Sequence, residues 1–506
     1  MKIFTAAQIK ACDAYTIHAS SITSIDLMER AAARCAEWIM ANTAKDTLYI
    51  ILCGTGNNGG DGLAIARMLH QNGYSIKCFL LKITDTLSHD CQLNLGRLQK
   101  IDNALVQILQ PGAFISDIPA NIVLIDAILG TGLNRPAEGW VKEFIEHIND
   151  TDNRKIAIDI PSGMPADNIP PAEAAILSVD HTLSFQFYKR AFLHTETGRY
   201  AGNVHILDIG LHPTFIAGTH TNYRTLEKEY IRSIYKPRNP FTHKGNYGNA
   251  IIIGGSYGMM GAAILASRSC LRAGAGKVHL LIPECGYTIA QTAIPEVMCT
   301  VKGERAISDI CGWTEKDSIG IGPGLGTLDY TIEAFANFIE EVKQPIVIDA
   351  DALNILGKQP ELLHKIPADS ILTPHPKEFE RIFGKSANSM QQLELARTQA
   401  MRLNVYIILK GHYTAVVTPE GECSYNLTGN AGMATGGSGD VLTGILTGLL
   451  AQGYNSEQAA LLGVYIHGFA GDLAAEKLSM EAMIAGDICD NIGEAYKAIA
   501  GKQTAL

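Results

Sequence analysis

From Leu48 onward the chain alternates short aliphatic or β-branched runs with helix-length stretches, a rhythm that leaves little choice but parallel sheets with helices on their faces. It runs in two series. The first comprises 49–52, 76–80, 122–125, 156–158, 182–185 and 204–207; the second comprises 250–253, 278–281, 319–321, 346–348, 370–372 and 406–409. Between His212 and Asn246 the rhythm stops. There Tyr235-Lys236-Pro237-Arg238-Asn239-Pro240, followed by His243-Lys244-Gly245, predicts a linker and a new start. With the boundary placed near Arg224, the chain divides into two α/β domains, 1–223 and 224–506. Ahead of the first sheet, 6–40 predicts two helices broken around Ala19-Ser20-Ser21-Ile22-Thr23.

Composition excludes several classes. Apolar residues make up 47% and charged residues 18% of the 506, with 49 Gly against 19 Pro, which suits many tight strand-to-helix turns and rules out a disordered or collagen-like chain. A net charge of −10 offers no basic field to a phosphate backbone, so nucleic acid is not an expected partner. The eleven cysteines include no CxxC pair and no zinc-spaced Cys/His cluster, which predicts reduced thiols and a cytoplasmic location. No basic segment followed by an apolar one opens the chain, so no signal peptide is expected. The uncharged stretch 250–267 is interrupted by Gly254, Gly255, Gly258 and Gly261 and predicts a buried strand, loop and helix start, with no membrane contact.

The loop Gly54-Thr55-Gly56-Asn57-Asn58-Gly59-Gly60-Asp61-Gly62 lies between a strand and the helical run 63–69, where N–H groups at a helix start can cradle a pyrophosphate. The match to GxGxxG is formal. The second strand ends in Leu80-Leu81-Lys82, without the acid that holds a ribose, and no GxxxxGK[ST] occurs. A strained turn that merely needs glycine remains an alternative, but Asn57, Asn58 and Asp61 in the same loop favour a bound group. Acids also end three strands, at Asp126, Asp159 and Asp208, and ligands of open parallel sheets sit at such ends. The loops 126–135 and 159–163 should therefore meet the glycine loop on one rim. There Asn58, Asp126 and Ser162 are hard oxygen donors suited to a monovalent or hard divalent cation, and Arg135 suits a phosphate. Ser162 as a helix N-cap and Arg135 as a surface ion pair stay open.

In this order GNNGGDG, DAILGTGL and DIPSG resemble the amino-terminal domain of the bifunctional NAD(P)H-hydrate repair enzymes, the hydrate epimerase, over roughly 1–211. The resemblance implies a Rossmann-like three-layer α/β/α domain with hydrate contacts at Asn57, Asn58, Gly59, Gly60 and Asp61, at Gly130, Thr131, Gly132, Leu133, Asn134, Arg135 and Pro136, and at Asp159. It also implies K⁺ at Asn58, Asp126 and Ser162. Proton transfer is what an enzyme must supply to invert C6 of the hydrated nicotinamide, and Asp159 is the expected acid/base. Asp159→Ala is expected to abolish epimerisation and leave folding intact.

Toward the far end, Gly429-Asn430-Ala431-Gly432-Met433-Ala434-Thr435-Gly436-Gly437-Ser438-Gly439-Asp440 precedes the apolar helical run 441–450. N–H groups of Gly437, Ser438 and Gly439 can stabilise a phosphoryl group in flight, and Asp440 stands where it can accept a proton from an attacking hydroxyl. The alternative makes Asp440 a charge favourable to the helix dipole. This GxGD element resembles the ribokinase-like fold. Gly254-Gly255-Ser256 with Gly261-Ala262-Ala263, Gly322-Pro323-Gly324-Leu325-Gly326, Asp349-Ala350-Asp351-Ala352-Leu353-Asn354, Thr373-Pro374-His375-Pro376-Lys377-Glu378 and Lys410-Gly411-His412 extend the resemblance to the NAD(P)H-hydrate dehydratase over about 235–496. Ala431 stands where Pro is frequent and Lys377 where Gly is frequent; neither change removes a polar contact. The resemblance implies a ribokinase-like α/β domain in which Ala262, Gly324, His375 and Asp440 face the hydrate. It places Lys410, Gly411, His412, Tyr413, Thr414 and Asn430, Ala431, Gly432, Met433, Ala434, Thr435, Gly436, Gly437, Ser438 and Gly439 toward ADP or ATP with Mg²⁺. For His375 a purely structural place is the alternative, and for Asp351 and Asn354 the structural reading is the better one.

Together the resemblances imply an isomerase joined to a lyase: epimerisation of the R and S hydrates of NADH and NADPH, then ADP-driven dehydration of the S form, with ATP as the other co-substrate. Fused members of the family are expected to self-associate. A ribokinase-like small-molecule kinase with a regulatory first half, and a non-catalytic nucleotide sensor, are the competing readings.

Overall fold

The computed structural model describes residues 1–116, 118–133 and 135–501. The chain forms two compact units, Lys2–Thr221 and Asn222–Leu506, with Met1 joining the latter. The division falls two residues before the boundary read from sequence.

The first unit has seven strands: β1 (Leu48–Cys53), β2 (Ser75–Leu81), β3 (Val106–Leu109), β4 (Val123–Ala127), β5 (Arg154–Ile158), β6 (His181–Phe185) and β7 (Asn203–Leu207). Their order is β3-β2-β1-β4-β5-β6-β7, every pairing parallel. Successive residues of β1 serve opposite faces, as the pleat requires. Tyr49, Ile51 and Cys53 pack with Ala32, Cys35, Leu63 and Leu69, whereas Ile50 and Leu52 pack with Phe144, Ile145 and Ile148. Two helical layers thus enclose the sheet, the three-layer arrangement expected. Strand order reverses between β1 and β4, the switch point at whose carboxyl ends open parallel sheets bind ligands. The helical preface is Ala6–Ala19 and Ser24–Asn42, each opened by a threonine: Gln8 N–H donates to Thr5 and Asp26 N–H to Thr23.

The second unit has ten strands: β8 (Tyr223–Thr225), β9 (Asn249–Ile253), β10 (Lys277–Ile282), β11 (Met298–Val301), β12 (Asp317–Ile321), β13 (Ile346–Ile348), β14 (Ile371–Leu372), β15 (Tyr406–Leu409), β16 (Ala415–Val417) and β17 (Cys423–Tyr425). Their order is β11-β10-β9-β12-β13-β14-β15-β16-β17-β8. Pairing is parallel from β11 to β15, antiparallel through β16 and β17, and parallel again to β8.

Three sequence expectations are corrected here. The rhythm does not stop at His212: ahead of the linker, β8 pairs with β17, and Leu226 and Ile231 are buried in the main core of the unit. Strand β3 escapes the aliphatic rhythm because it lies at an edge and buries only Leu109. The strands β16 and β17 escape because each is three residues long, too short to show a period.

The helix Ser438–Ala451 is apolar nearly all round, because it packs on the sheet and on the helix Met260–Ala273 at once. A Cβ at Gly444 would lie 1.9 Å from the Ala266 carbonyl oxygen and 2.0 Å from Ser269 Oγ, so hydrogen at this position is what lets the helices meet. Gly444→Ala gains ~1 kcal/mol in helix propensity but loses about 1–3 kcal/mol by overpacking, more where backbone must move. We expect a lower denaturation midpoint, readable by urea titration.

Candidate active sites

In the first unit the glycine loop leaves β1 and becomes the first turn of the helix Asn57–Gln71. A Cβ at Gly59 would sit 1.9 Å from the Gly54 carbonyl oxygen, so this glycine serves close packing of the turn against its own strand. No side chain caps the helix start. Its leading N–H groups remain available to an anion.

Asp126, at the tip of β4, is 1% exposed. Its Oδ1 accepts from Ser162 Oγ at 2.5 Å and Ile128 N–H at 3.1 Å, and its Oδ2 from Ser162 N–H at 2.7 Å. Ser162 is therefore bound to the acid of the neighbouring strand and caps no helix. Its Oγ also accepts from Leu129 N–H at 2.8 Å, and Asn58 Nδ2 donates to the Leu129 carbonyl at 3.0 Å. Asn58, Asp126 and Ser162 thus meet around Leu129. Burial pushes the Asp126 carboxyl up to about 6 against the hydrogen bonds from Ser162 and Ile128. The Asn58 Oδ1 is buried with no hydrogen-bond partner, a costly state for an amide oxygen. An unsatisfied oxygen beside a buried carboxylate fits a monovalent cation. No group of three or more His, Cys, Asp or Glu positioned for a metal occurs among the described residues.

Gly130 adjoins this cluster, the Asn58 Cβ lying 3.1 Å from where its own would be. Thr131, Gly132, Leu133, Arg135 and Pro136 follow it in the chain, with Arg135 exposed and in no ion pair among the described residues; Asn134 lies outside the described residues.

Asp159, at the tip of β5, has φ of 65°, a conformation uncommon for a residue with a side chain. Its Oδ1 accepts from Phe185 N–H at 3.1 Å and from the Lys189 ammonium at 2.5 Å. Asp61 is buried, its carboxyl held well above the usual range by burial and then by Asp159, Asp13 and Asp90. Asp13, from the first helix, is pushed up to about 7 by burial and by Asp159, with Lys189 opposing. Three acids and one buried lysine therefore share this corner. The third strand-tip acid does not join them: Asp208 is exposed and closes a turn through Gly210 N–H at 2.8 Å.

In the second unit the motifs again lie at carboxyl ends of strands. After β9 and β12, Ser256 Oγ donates to the Gly324 carbonyl at 2.8 Å and Gly255 N–H to that of Pro323 at 2.8 Å. A Cβ at Gly324 would stand 3.3 Å from that of Ala262, so these two expected hydrate contacts are neighbours. After β13, Asp351 Oδ2 accepts from Gly326 N–H at 2.9 Å and its Oδ1 from Asn354 Nδ2 at 3.2 Å, while Arg381 donates to Asn354 at 2.9 Å. These contacts give both residues a structural task.

His375 opens the helix Pro376–Phe383: its Nδ1 accepts from Lys377 N–H at 3.1 Å and Glu378 N–H at 3.2 Å. Burial, then Lys410 and Arg381, hold the ring below its usual range. A neutral ring with the proton on Nε2 follows, and 43% of the side chain is exposed. Its Nε2 lies 3.4 Å from Glu378 Oε1, so both ring nitrogens have neighbours at the helix start, while the exposed part of the ring stays open to a ligand.

Lys410, after β15, donates to Asp349 Oδ1 at 2.8 Å, and Thr443 Oγ1 donates to Asp349 Oδ2 at 2.7 Å. Burial raises the Asp349 carboxyl, but Lys410 and its hydrogen bonds outweigh this and hold it below the usual range. A Cβ on Gly439 would lie 3.3 Å from Lys410 Nζ, which puts the ammonium beside the GSGD turn. That turn has Gly437 at φ 93°, left-handed backbone that favours glycine. Behind it, His467 Nε2 donates to the Ser438 carbonyl at 2.9 Å; burial pushes this imidazole down to about 4, so it stays neutral and holds the turn. Asp440 is pushed up to about 7 by burial and by Asp349, against Lys410. Asn430 Nδ2 and Gly429 N–H donate to Asp472 at 3.0 and 2.9 Å, fixing the start of the loop that runs through Ala431, Gly432, Met433, Ala434, Thr435 and Gly436. Of 411–414, Gly411 and His412 are exposed. Asp349, Asp472 and His467 were not among the sequence candidates; the last two lie on the long helix Ser456–Leu478, where nothing local distinguishes them from core-facing positions.

Residues 250–494 match the family described as NAD(P)H-hydrate dehydratase, and residues 24–191 match that described as YjeF-related protein N-terminus. The bifunctional NAD(P)H-hydrate repair enzyme of Moorella thermoacetica is 36% identical over 97% of this chain and 96% of its own. That of Escherichia coli is 32% identical over 92% and 88%. Among solved structures, the ADP/ATP-dependent NAD(P)H-hydrate dehydratase of Bacillus subtilis, co-crystallised with ATP and Mg²⁺, is 30% identical over 55% of this chain and 100% of its own, with a TM-score of 0.48.

Proposed function

The chain belongs to the family of bifunctional NAD(P)H-hydrate repair enzymes, and from that premise we propose how its two halves divide the reaction. Residues 1–223 equilibrate the R and S hydrates of NADH and NADPH; residues 224–506 dehydrate the S form with ADP, or alternatively ATP, carried as its Mg²⁺ complex. The observation that carries this reading is Asp440: a carboxyl set near 7 at a glycine-lined helix start, beside the fixed Lys410–Asp349 pair.

In the second half Asp440 takes the proton of the C6 hydroxyl as that oxygen attacks the terminal phosphorus. The turn 437–439 offers N–H groups to the transferring phosphoryl, and Lys410 adds positive charge held in place by Asp349. Electrons from the ring nitrogen then expel phosphate, and loss of a C5 proton restores the dihydronicotinamide. His375 Nε2, Ala262 and Gly324 line the hydrate side.

In the first half Asp159 takes the C6 hydroxyl proton as the C6–N1 bond opens. That proton passes to N1, and closure on the opposite face gives the other epimer; loss and return of hydroxide is the alternative route. Asn58, Asp126 and Ser162 hold K⁺, which when bound supplies a fixed positive charge near the hydrate. Asn58→Ala removes one oxygen ligand and a hydrogen bond of about 1 kcal/mol, so the K⁺ concentration for half-maximal epimerisation is expected to rise severalfold with little change in unfolding temperature. Titrating KCl at constant ionic strength measures it. All eleven cysteines are free thiols, which supports a reducing, cytoplasmic setting, and no described helix is long and apolar enough to cross a membrane.

The experiment is the return of dihydronicotinamide absorbance from mixed R and S hydrates with Mg²⁺ and K⁺, comparing ADP, ATP and no nucleotide. Complete nucleotide-dependent recovery is expected. A stable phosphorylated product without recovery would instead mark a small-molecule kinase.

A further inference from the structure

Lys189 is a buried charged side chain at the first site, 1% exposed. A lone buried ammonium is costly, and breaking such a pair is worse than never having made it, so what it contacts is informative. It donates to Asp159 Oδ1 at 2.5 Å, to Ser184 Oγ at 2.7 Å and to the Phe185 carbonyl at 3.2 Å. Phe185 N–H donates to the same Oδ1 at 3.1 Å. Both donors fall on one carboxylate oxygen, and Oδ2 accepts from none of the described residues.

The groups that face Asp159 electrostatically come from three helices. They are Asp13 on Ala6–Ala19, Cys35 on Ser24–Asn42 and Asp61 on Asn57–Gln71, with Asp90 reaching Asp61. One ammonium stands among three carboxyl groups and touches only one of them.

We propose that Lys189 is a positioning residue for epimerisation: it selects Asp159, out of Asp13, Asp61 and Asp159, as the acid that carries the negative charge, and it turns Oδ2 toward the hydrate as the base. This rests on the epimerase reading above. Burial and mutual repulsion raise the carboxyls of Asp13 and Asp61, so the corner offers proton donors beside the base.

The test is the pH profile of epimerisation by the full chain, with the S hydrate pre-consumed so that the R form alone is followed. In Lys189→Met the charge is no longer fixed on Asp159, and the acid limb is expected to move up by one pH unit or more, a tenfold or greater loss at a pH on that limb, with recovery at higher pH. Lys189→Arg is expected to retain the wild-type limb at reduced amplitude. Ser184→Ala, which removes one anchor of the ammonium and preserves the charge, covers the case in which the methionine variant does not fold; a smaller upward shift is expected. Profiles that keep the wild-type shape and only scale down in Met and Ala variants alike would overturn the proposal. A wild-type chain that does not interconvert the hydrates at all would overturn the epimerase reading itself.

Discussion

Asp440→Asn is expected to cut nucleotide-driven dehydration by about 10³-fold while leaving ADP and ATP affinity within a few-fold of wild type. The substitution keeps the shape of the side chain and removes its capacity to accept a proton. Nucleotide contacts in this reading fall on the backbone of 430–439 and on Lys410, which is tied to Asp349 at 2.8 Å whatever stands at 440. Loss of activity with retained affinity is the signature of a group acting only in the transition state. Direction on the pH axis follows from the same residue. Burial, and then the charge of Asp349, put the Asp440 carboxyl at about 7, and a base works only when ionised. In the wild type, dehydration should fall tenfold per unit below about pH 7 and level off above it. Stability runs the other way for this one group: because its folded value lies above the ordinary carboxylate value, its burial costs least at low pH and most above about 7. Retained turnover in the asparagine variant, measured by absorbance return from pure S hydrate, would remove Asp440 from the mechanism.

Asp159→Asn is expected to lower epimerisation by about 10²–10⁴-fold with dehydration of the S hydrate unchanged. Mixed hydrates should then give a fast phase for the S form and a remainder that follows only the spontaneous rate. The structure also revises the choice of substitution. Alanine at 159 looks harmless from sequence, but it leaves Lys189, 1% exposed, without its counter-charge. Removing one partner of a buried pair costs about 3–5 kcal/mol. Asp159→Ala is therefore expected to destabilise the unit as well as inactivate it, and thermal unfolding separates the two variants. Asparagine keeps an oxygen for the ammonium and for Phe185 N–H.

The meeting of the candidate residues was legible in outline because the strand-tip rule is local. Once 49–52, 122–125 and 156–158 are read as neighbouring parallel strands, the residues that follow them must meet at one end of the sheet, as Asn58, Asp126 and Ser162 do around Leu129. The rule also carried Asp208 along; it failed there because strand position says where a loop begins and nothing of where a side chain turns, and Asp208 spends its carboxylate on Gly210 N–H. In the second half Asp440 announced itself through the density of small residues around it.

What the chain determines by itself is the set of elements and the chemistry offered at their ends, since hydrophobic period, glycine and strand-tip polar residues act over one or two turns of backbone. The tertiary structure alone decides which charge answers which. Lys189 reaches Asp159 across 30 residues, His467 reaches Ser438 across 29, and Lys410 reaches Asp349 across 61. A lysine in a loop or a histidine on a long helix carries no sequence mark of such a role, because the pairing depends on burial and strand order. Protonation then follows from burial: water is excluded, charge becomes costly, and the nearest counter-charge selects which acid stays ionised.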